Sequence, residues 1–350
     1  MPEGTHLGSK HASINGHTTS IVPKWTANVT VSVPLCLPLA NGKGAFAPRL
    51  ELLDEVLSHC DMGHLIQLAQ TSEFNHIVVQ HYIYLRKRAL ANHFFDDPDS
   101  FYDMLSDSRT IFSGSAAVQL LLPVANTAWT ADDMDLYVPT SEYRTVQRWL
   151  VEHQFLPTRN DEQLFATYDH RDISFIALFT DGQRKIVVVV SKTEAACAPI
   201  FSFDSTAAMN FVGGKSIFCA YPHLTLEYLS MINPGSAYCG GVKIKQMDAL
   251  RKYSSRGFSY IPWPTNKIGA HDAPYRSRSI TDTFSMLIDT EDIASEAKTY
   301  QEMLRKFKIM DVKWCLGGTV DGPSNAFVSP RVTIIDDSMY VGKMNDTSVH

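Results

Sequence analysis

The chain has 350 residues, of which 45% are hydrophobic and 19% charged, enough apolar material for a sizeable core and too much for a wholly disordered chain. Its 31 Lys and Arg stand against 37 Asp and Glu, a net charge of −6, which excludes a global polycation that coats nucleic acid but allows a local basic patch. No apolar run approaches the roughly 18–20 residues that span a bilayer, residues 1–16 hold no apolar signal core, and six scattered cysteines without a Cys-x-x-Cys pair fit reduced thiols; the expectation is a cytoplasmic or nuclear protein with no membrane partner.

Residues 1–47 are rich in Ser, Thr, Gly, His and Asn and show no sustained period, so they read as a flexible tail with a short strand at 29–33. From Pro48 the texture becomes helical. Leu50, Leu53, Val56 and Leu57 make a one-sided apolar stripe. Asp61 is placed to cap a second helix with Leu65, Ile66, Leu68 and Ala69 on its face, and Thr71 or Ser72 a third with Phe74, Ile77, Val78, Tyr82 and Leu85. These predict a compact helical unit over 48–95.

Beyond residue 100 the period changes. Ile111 and Phe112 end a strand that runs into Ser113-Gly114-Ser115, followed by a helix at 116–122 closed by Pro123. A strand at 134–138 and a helix at 141–154 come next, then strands at 164–168, 173–179 and 185–191. Residues 186–190 are apolar on both faces, which predicts a central strand covered on both sides. The passage 205–232 reads as helix (205–211), strand (216–220) and helix (225–232). No internal repeat is present.

The chemistry-bearing residues cluster where the first strand meets its helix and the next strand begins. Asp133 and Asp135 are two apart on an extended segment, so their carboxylates share a face and repel unless a cation lies between them. Hard magnesium (Mg2+) prefers such oxygen ligands. Gly114 lets a phosphate approach the backbone, and Ser115 with the free amides of the helix start can bind its oxygens. Lys192, just after the central strand, is a further candidate phosphate contact. The plainer alternative is a solvated strand end and a tight turn.

This arrangement resembles the nucleotidyltransferase superfamily, whose Gly-Ser turn is followed by Asp-x-Asp on the next strand. The resemblance covers roughly residues 108–230. It implies that Asp133 and Asp135 are catalytic metal ligands, that Gly114 and Ser115 bind a nucleoside triphosphate, and that a nucleotidyl group passes to an acceptor. The chain departs from the pattern in two ways. Seventeen residues separate Ser115 from Asp133, and the strand at 186–190 supplies no third carboxylate; Asp172 and Asp204 are the nearest substitutes.

The helical unit is similar to an F-box, through Pro48-Arg49-Leu50-Glu51-Leu52-Leu53, the turn at Asp61, and Leu68-Ala69-Gln70-Thr71-Ser72. Ala47 stands where an F-box usually has Leu before Pro48. The likeness implies docking to a Skp-type adaptor of a ubiquitin ligase; the alternative is a three-helix cap on the next domain. The whole layout, with Ser205-Thr206 and Lys252-Tyr253, resembles a group of proteins of mushroom-forming fungi, which implies architecture more than activity.

Between residues 240 and 278 stand Lys243, Lys245, Arg251, Lys252, Arg256, Lys267, Arg276 and Arg278 against Asp248 and Asp272, with Tyr253, Phe258, Tyr260 and Trp263 interleaved. Such a segment suits RNA, polyphosphate or a nucleotide, or pairs with acidic groups of the same chain. Gly213-Gly214-Lys215-Ser216 ends like a phosphate loop, but Met209 holds the position of its first glycine.

The expected fold class is α+β: a nucleotidyltransferase-like mixed β-sheet flanked by helices (100–235), preceded by the tail (1–47) and a three-helix F-box-like unit (48–95), and followed by a basic C-terminal extension (236–350). Two functions follow: a nucleotidyltransferase-like protein that binds a magnesium nucleotide, or a non-catalytic adaptor in ubiquitin-ligase recruitment.

Overall fold

The computed structural model describes residues 50–158, 172–233, 244–261, 277–293, 299–316 and 333–334. The chain divides between Ala47 and Pro48, and every described residue belongs to the unit Pro48–His350. The tail expected at 1–47, its strand at 29–33 and the strand expected at 164–168 lie outside the described residues.

Three helices open the unit: α1 (Leu50–Ser58), α2 (Met62–Ala69) and α3 (Glu73–Asn92). Their starts follow from capping. The Asp61 carboxylate accepts from the His64 amide at 2.9 Å, and the Ser72 hydroxyl from the Asn75 amide at 3.2 Å. The buried stripe of α3 is Val79, Ile83, Leu90 and Ala91, at helical spacing. Phe74 and Ile77, expected on that face, are exposed, as is Val56 on α1. Helix α4 (Pro98–Asp107) is an element the periodicity did not predict; Asp97 caps it, Pro98 occupies its first turn, and Phe101, Met104 and Leu105 are its buried face.

The remainder builds a mixed sheet. In chain order come β1 (Ile111–Ser113), α5 (Gly114–Leu121), β2 (Met134–Val138), α6 (Tyr143–Glu152), β3 (Leu156–Pro157), β4 (Ile173–Thr180), β5 (Lys185–Ser191), β6 (Asn210–Val212), β7 (Ser216–Cys219), the short helix α7 (Pro222–Thr225), β8 (Leu229–Met231), α8 (Ile244–Ser255), β9 (Ser259–Ile261), β10 (Arg278–Ser279), β11 (Met286–Asp289), α9 (Tyr300–Phe307), β12 (Val312–Trp314) and β13 (Thr333–Ile334). Eight strands join in the order β11-β7-β6-β1-β2-β5-β4-β3. Only β2 and β5 run parallel there, and every other neighbour pair is antiparallel.

Strand alternation sorts the core into two layers. Met134, Leu136, Val138, Ile186, Val188 and Val190 share a core with residues of α1–α6, so the three opening helices pack into the same hydrophobic cluster as the sheet. Tyr137, Val187 and Val189 face the other way, against Ile200, Phe201, Leu304 and Trp314. β5 is therefore covered on both faces, as its unbroken apolar run predicts. A third, smaller cluster joins Val118 of α5 and Leu122 just after it to Ala207, Tyr253 and Phe258.

Two helices expected from the sequence are corrected. The segment 205–211 is a single 3-10 turn, Thr206–Ala208, that passes into β6, because Gly213-Gly214 folds β6 back on β7 as a hairpin. The segment 225–232 is the end of α7 followed by β8. Tyr228 between them has φ +55°, which no continuing α-helix accommodates. Cys197, Cys219 and Cys315 are buried. No helix among the described residues is long and apolar enough to cross a membrane.

Candidate functional site

The site forms where β1 delivers the chain into α5 beside the head of β2. Ser113 is the register partner of Asp135 across the antiparallel β1–β2 pair. Its buried hydroxyl donates to the Asn210 carbonyl on β6 at 2.5 Å, so it fixes the strand end and leaves the helix start uncapped by a side chain. Gly114 follows with φ +65°, and a Cβ there would lie 2.6 Å from Asp135 Oδ2. Glycine is required twice over, for its left-handed backbone and for the close approach of the carboxylate.

Asp133 and Asp135 bracket Met134, whose side chain is in the core, so Asp135 points to the opposite face of β2, and Asp133 lies close enough to act on its charge. Burial raises the Asp135 carboxyl, and the neighbouring Asp133 raises it further against a lowering pull from Lys252, so that it is pushed up to about 7. A pair so placed is short of cations.

The chain's own cations come from α8 and the residue after it. Lys252 Nζ lies 4.0 Å from Asp133 Oδ1. The Arg256 guanidinium donates to the Ser115 hydroxyl at 2.6 Å and stacks 4.1 Å over the Trp129 ring. Tyr253, buried between α8 and α5, reaches Ser115 as well. The Trp129 indole N–H is buried and has no acceptor among the described residues. Gly114, Ser115, Asp133 and Asp135 are thus brought together as the sequence predicts, with Trp129 added from the loop before β2 and Lys252, Tyr253 and Arg256 from a segment remote in sequence.

Lys192 does not join them. β5 runs parallel to β2, so Met134 pairs with Ile186 while Val138 pairs with Val190. Lys192 follows the far end of β5, roughly 20 Å from the level of Met134 at about 3.3 Å per strand residue. Asp172, whose carbonyl accepts from the Lys192 amide, lies at that end too. Asp204 accepts from the Gln246 side chain. The residue opposite Asp135 on the parallel neighbour is Val187, and no group of three or more His, Cys, Asp and Glu that could hold a metal ion occurs among the described residues. Two carboxylates are a set that magnesium uses when phosphates complete its shell.

The basic segment divides. Lys252 and Arg256 serve the site, Arg251 pairs with Asp248, and Arg278 is buried against Asp282. Lys243, Lys267, Arg276, Asp272 and Trp263 lie outside the described residues, as does the side chain of Lys245. A cleft of about 530 Å3 lies elsewhere, between α3, α4 and the β6–β7 turn, and none of the four acidic and turn residues lines it.

No protein-family model matches the chain, and no curated protein and no solved structure matches it.

Proposed function

We propose that this chain is a nucleotidyltransferase-like protein that binds a magnesium nucleoside triphosphate at Gly114, Ser115, Asp133 and Asp135. The observation that carries the reading is the placement of the Asp135 carboxylate over the Gly114 backbone, beside a second carboxylate and at the start of α5. Asp133 and Asp135 would hold the metal, which when bound offsets phosphate charge and lowers the cost of keeping both carboxylates ionised. The α5 amides and the Ser115 hydroxyl would donate to phosphate oxygens, and Lys252 and Arg256 would neutralise the remaining charge. Val187 in place of a third carboxylate favours binding over transfer, so transfer to an acceptor is the lesser part of the proposal.

Isothermal titration of ATP with magnesium into the intact chain and into Asp133→Asn tests it. Saturable binding lost in the variant is the expected outcome, and equal heats with both proteins contradict the site.

A second reading, a non-catalytic F-box-like adaptor, is favoured by a separate observation. Leu52 and Val56 stand one turn apart on α1 and are 60% and 56% exposed, apolar side chains that a partner would cover. Titration of a purified Skp-type adaptor into the intact chain and into Leu52→Asp tests it; binding that the variant loses supports docking through α1, and no binding rejects it.

A further inference from the structure

Arg256 carries its charge without an acid beside it, at a point where the backbone is tightly fixed. It stands just after α8, where the chain turns out of the helix. Gly257 has φ +95°, its amide donates to the Ser254 carbonyl at 3.1 Å, and the Phe258 amide donates to the Tyr253 carbonyl at 3.1 Å. The Phe258 and Tyr253 rings meet edge to face with centres 5.7 Å apart. These contacts set the helix end, and the Arg256 side chain leaves it toward α5. Lys252, one turn earlier, reaches Asp133 at 4.0 Å, so the two cations of this end serve different groups.

The guanidinium lies among aromatic rings, 4.1 Å from the centre of Trp129 and 5.7 Å from that of Tyr253, and its Nη1 donates to the Ser115 hydroxyl at 2.6 Å. Trp129 packs against the cluster that holds Val118 and Leu122. Its indole N–H has no acceptor among the described residues, so ring contacts rather than a hydrogen bond set its place. Arg88, Arg109, Arg184, Arg251 and Arg278 each pair with a carboxylate. Arg256 pairs with none among the described residues. Burial opposes its charge, and Tyr253, Asp132 and Asp133 favour it. A part-buried cation without an acid is costly to keep. Arg86 has a nitrogen sealed from solvent with no partner, whereas no nitrogen of Arg256 is sealed in that way, and Arg256 is partly exposed. One edge of a planar fork is therefore open to the site while its face rests on Trp129, a shape that matches two phosphate oxygens.

We infer that Arg256 receives the diphosphate part of the ligand and that Trp129 is the positioning residue that holds it there. The inference rests on the reading that a phosphorylated ligand enters this site, and it leaves the metal to the aspartates. Arginine suits the place because its face stacks while its edge donates, which an ammonium cannot do.

Calorimetric titration of the intact chain with pyrophosphate in the presence of EDTA, and separately with magnesium ATP, tests it. The proteins are the natural chain, Arg256→Gln, Trp129→Leu, Trp129→Phe, the Arg256→Gln/Trp129→Leu double variant and Asp133→Asn, with thermal unfolding to show that each is folded. Leucine keeps an apolar side chain against the cluster but offers no ring, and phenylalanine restores one. The expected result is pyrophosphate binding that falls at least tenfold in Arg256→Gln and in Trp129→Leu and returns to within about threefold in Trp129→Phe. The double variant should bind no more weakly than Arg256→Gln, since Trp129 acts through Arg256. Unchanged affinity in Arg256→Gln or in folded Trp129→Leu, losses that add in the double variant, or no pyrophosphate binding by the natural chain would each overturn it. Asp133→Asn should keep pyrophosphate binding. If it also keeps magnesium ATP in full, the magnesium reading fails while the assignment of Arg256 and Trp129 stands.

Discussion

Asp135 on β2 and Val187 on β5 are register partners across the one parallel pair among the described strands of the main sheet. The acid at the head of the sheet thus has a hydrocarbon neighbour, 5% exposed, where a further carboxylate would have completed a cage of protein ligands. Charge balance comes instead from α8, through Lys252 beside Asp133 and Arg256 on Ser115. A metal held here must draw the rest of its ligands from whatever it arrives with, which ties metal binding to phosphate binding.

Gly114→Ala tests the turn. A left-handed alanine costs about 1–2 kcal/mol, and its Cβ would displace the Asp135 carboxylate. Urea unfolding should show a loss of that size, and magnesium nucleotide affinity should fall at least tenfold. A variant of unchanged affinity would separate the turn from the site.

Asp135 gives a pH signature. Its carboxyl is raised to about 7 from an ordinary value near 3.8, so between those values the folded chain holds a proton that the unfolded chain has released. Its contribution to stability is therefore present at low pH and is lost as the pH rises from about 4 to about 7. Asp135→Asn should remove this decline, so the variant gains on the natural chain across that window in urea unfolding. Nucleotide binding that uses the ionised pair should strengthen from pH 6 to pH 8. A constant difference between the two proteins contradicts the burial of this carboxyl.

Lys87 gives the opposite slope in a different window. Its amine is lowered to about 7 from 10.5, so between these values the unfolded chain binds a proton that the folded chain does not. Stability contributed by this group rises with pH there, by up to about 1.4 kcal/mol per pH unit. Stability curves of the natural chain and Lys87→Met should diverge in favour of the natural chain from pH 7 to pH 10, and parallel curves would place the amine in water.

Much of the frame was legible where local rules decide. The strands at 134–138 and 185–191 follow from apolar content, and the caps at Asp61 and Ser72 fix two helix starts. Helix α4 was missed although Asp97-Pro98 is a helix-start signal and Phe101, Met104 and Leu105 share a face, because the acidic run around it masks the period. The errors at 205–211 and 225–232 arise where short apolar segments fit either period and tertiary pairing decides. The Gly114, Ser115, Asp133 and Asp135 grouping was legible because a turn and a strand set it locally. Arg256 and Trp129 were not, because Arg256 meets Ser115 and Trp129 only through folding, and it stands 141 positions after Ser115. Lys192 failed for a related reason: the strand it follows runs parallel to β2, which carries its end away from the aspartates.

Thermal unfolding of the intact chain with ATP, GTP, CTP and UTP, each with and without magnesium, tests whether the aspartate pair binds a magnesium nucleotide. A nucleotide at about 100 times its Kd adds roughly 2.7 kcal/mol, a shift of several degrees. The expected result is a magnesium-dependent rise with at least one nucleotide, absent in Asp133→Asn. A cooperative transition that no nucleotide moves, or a rise that Asp133→Asn retains in full, would contradict it.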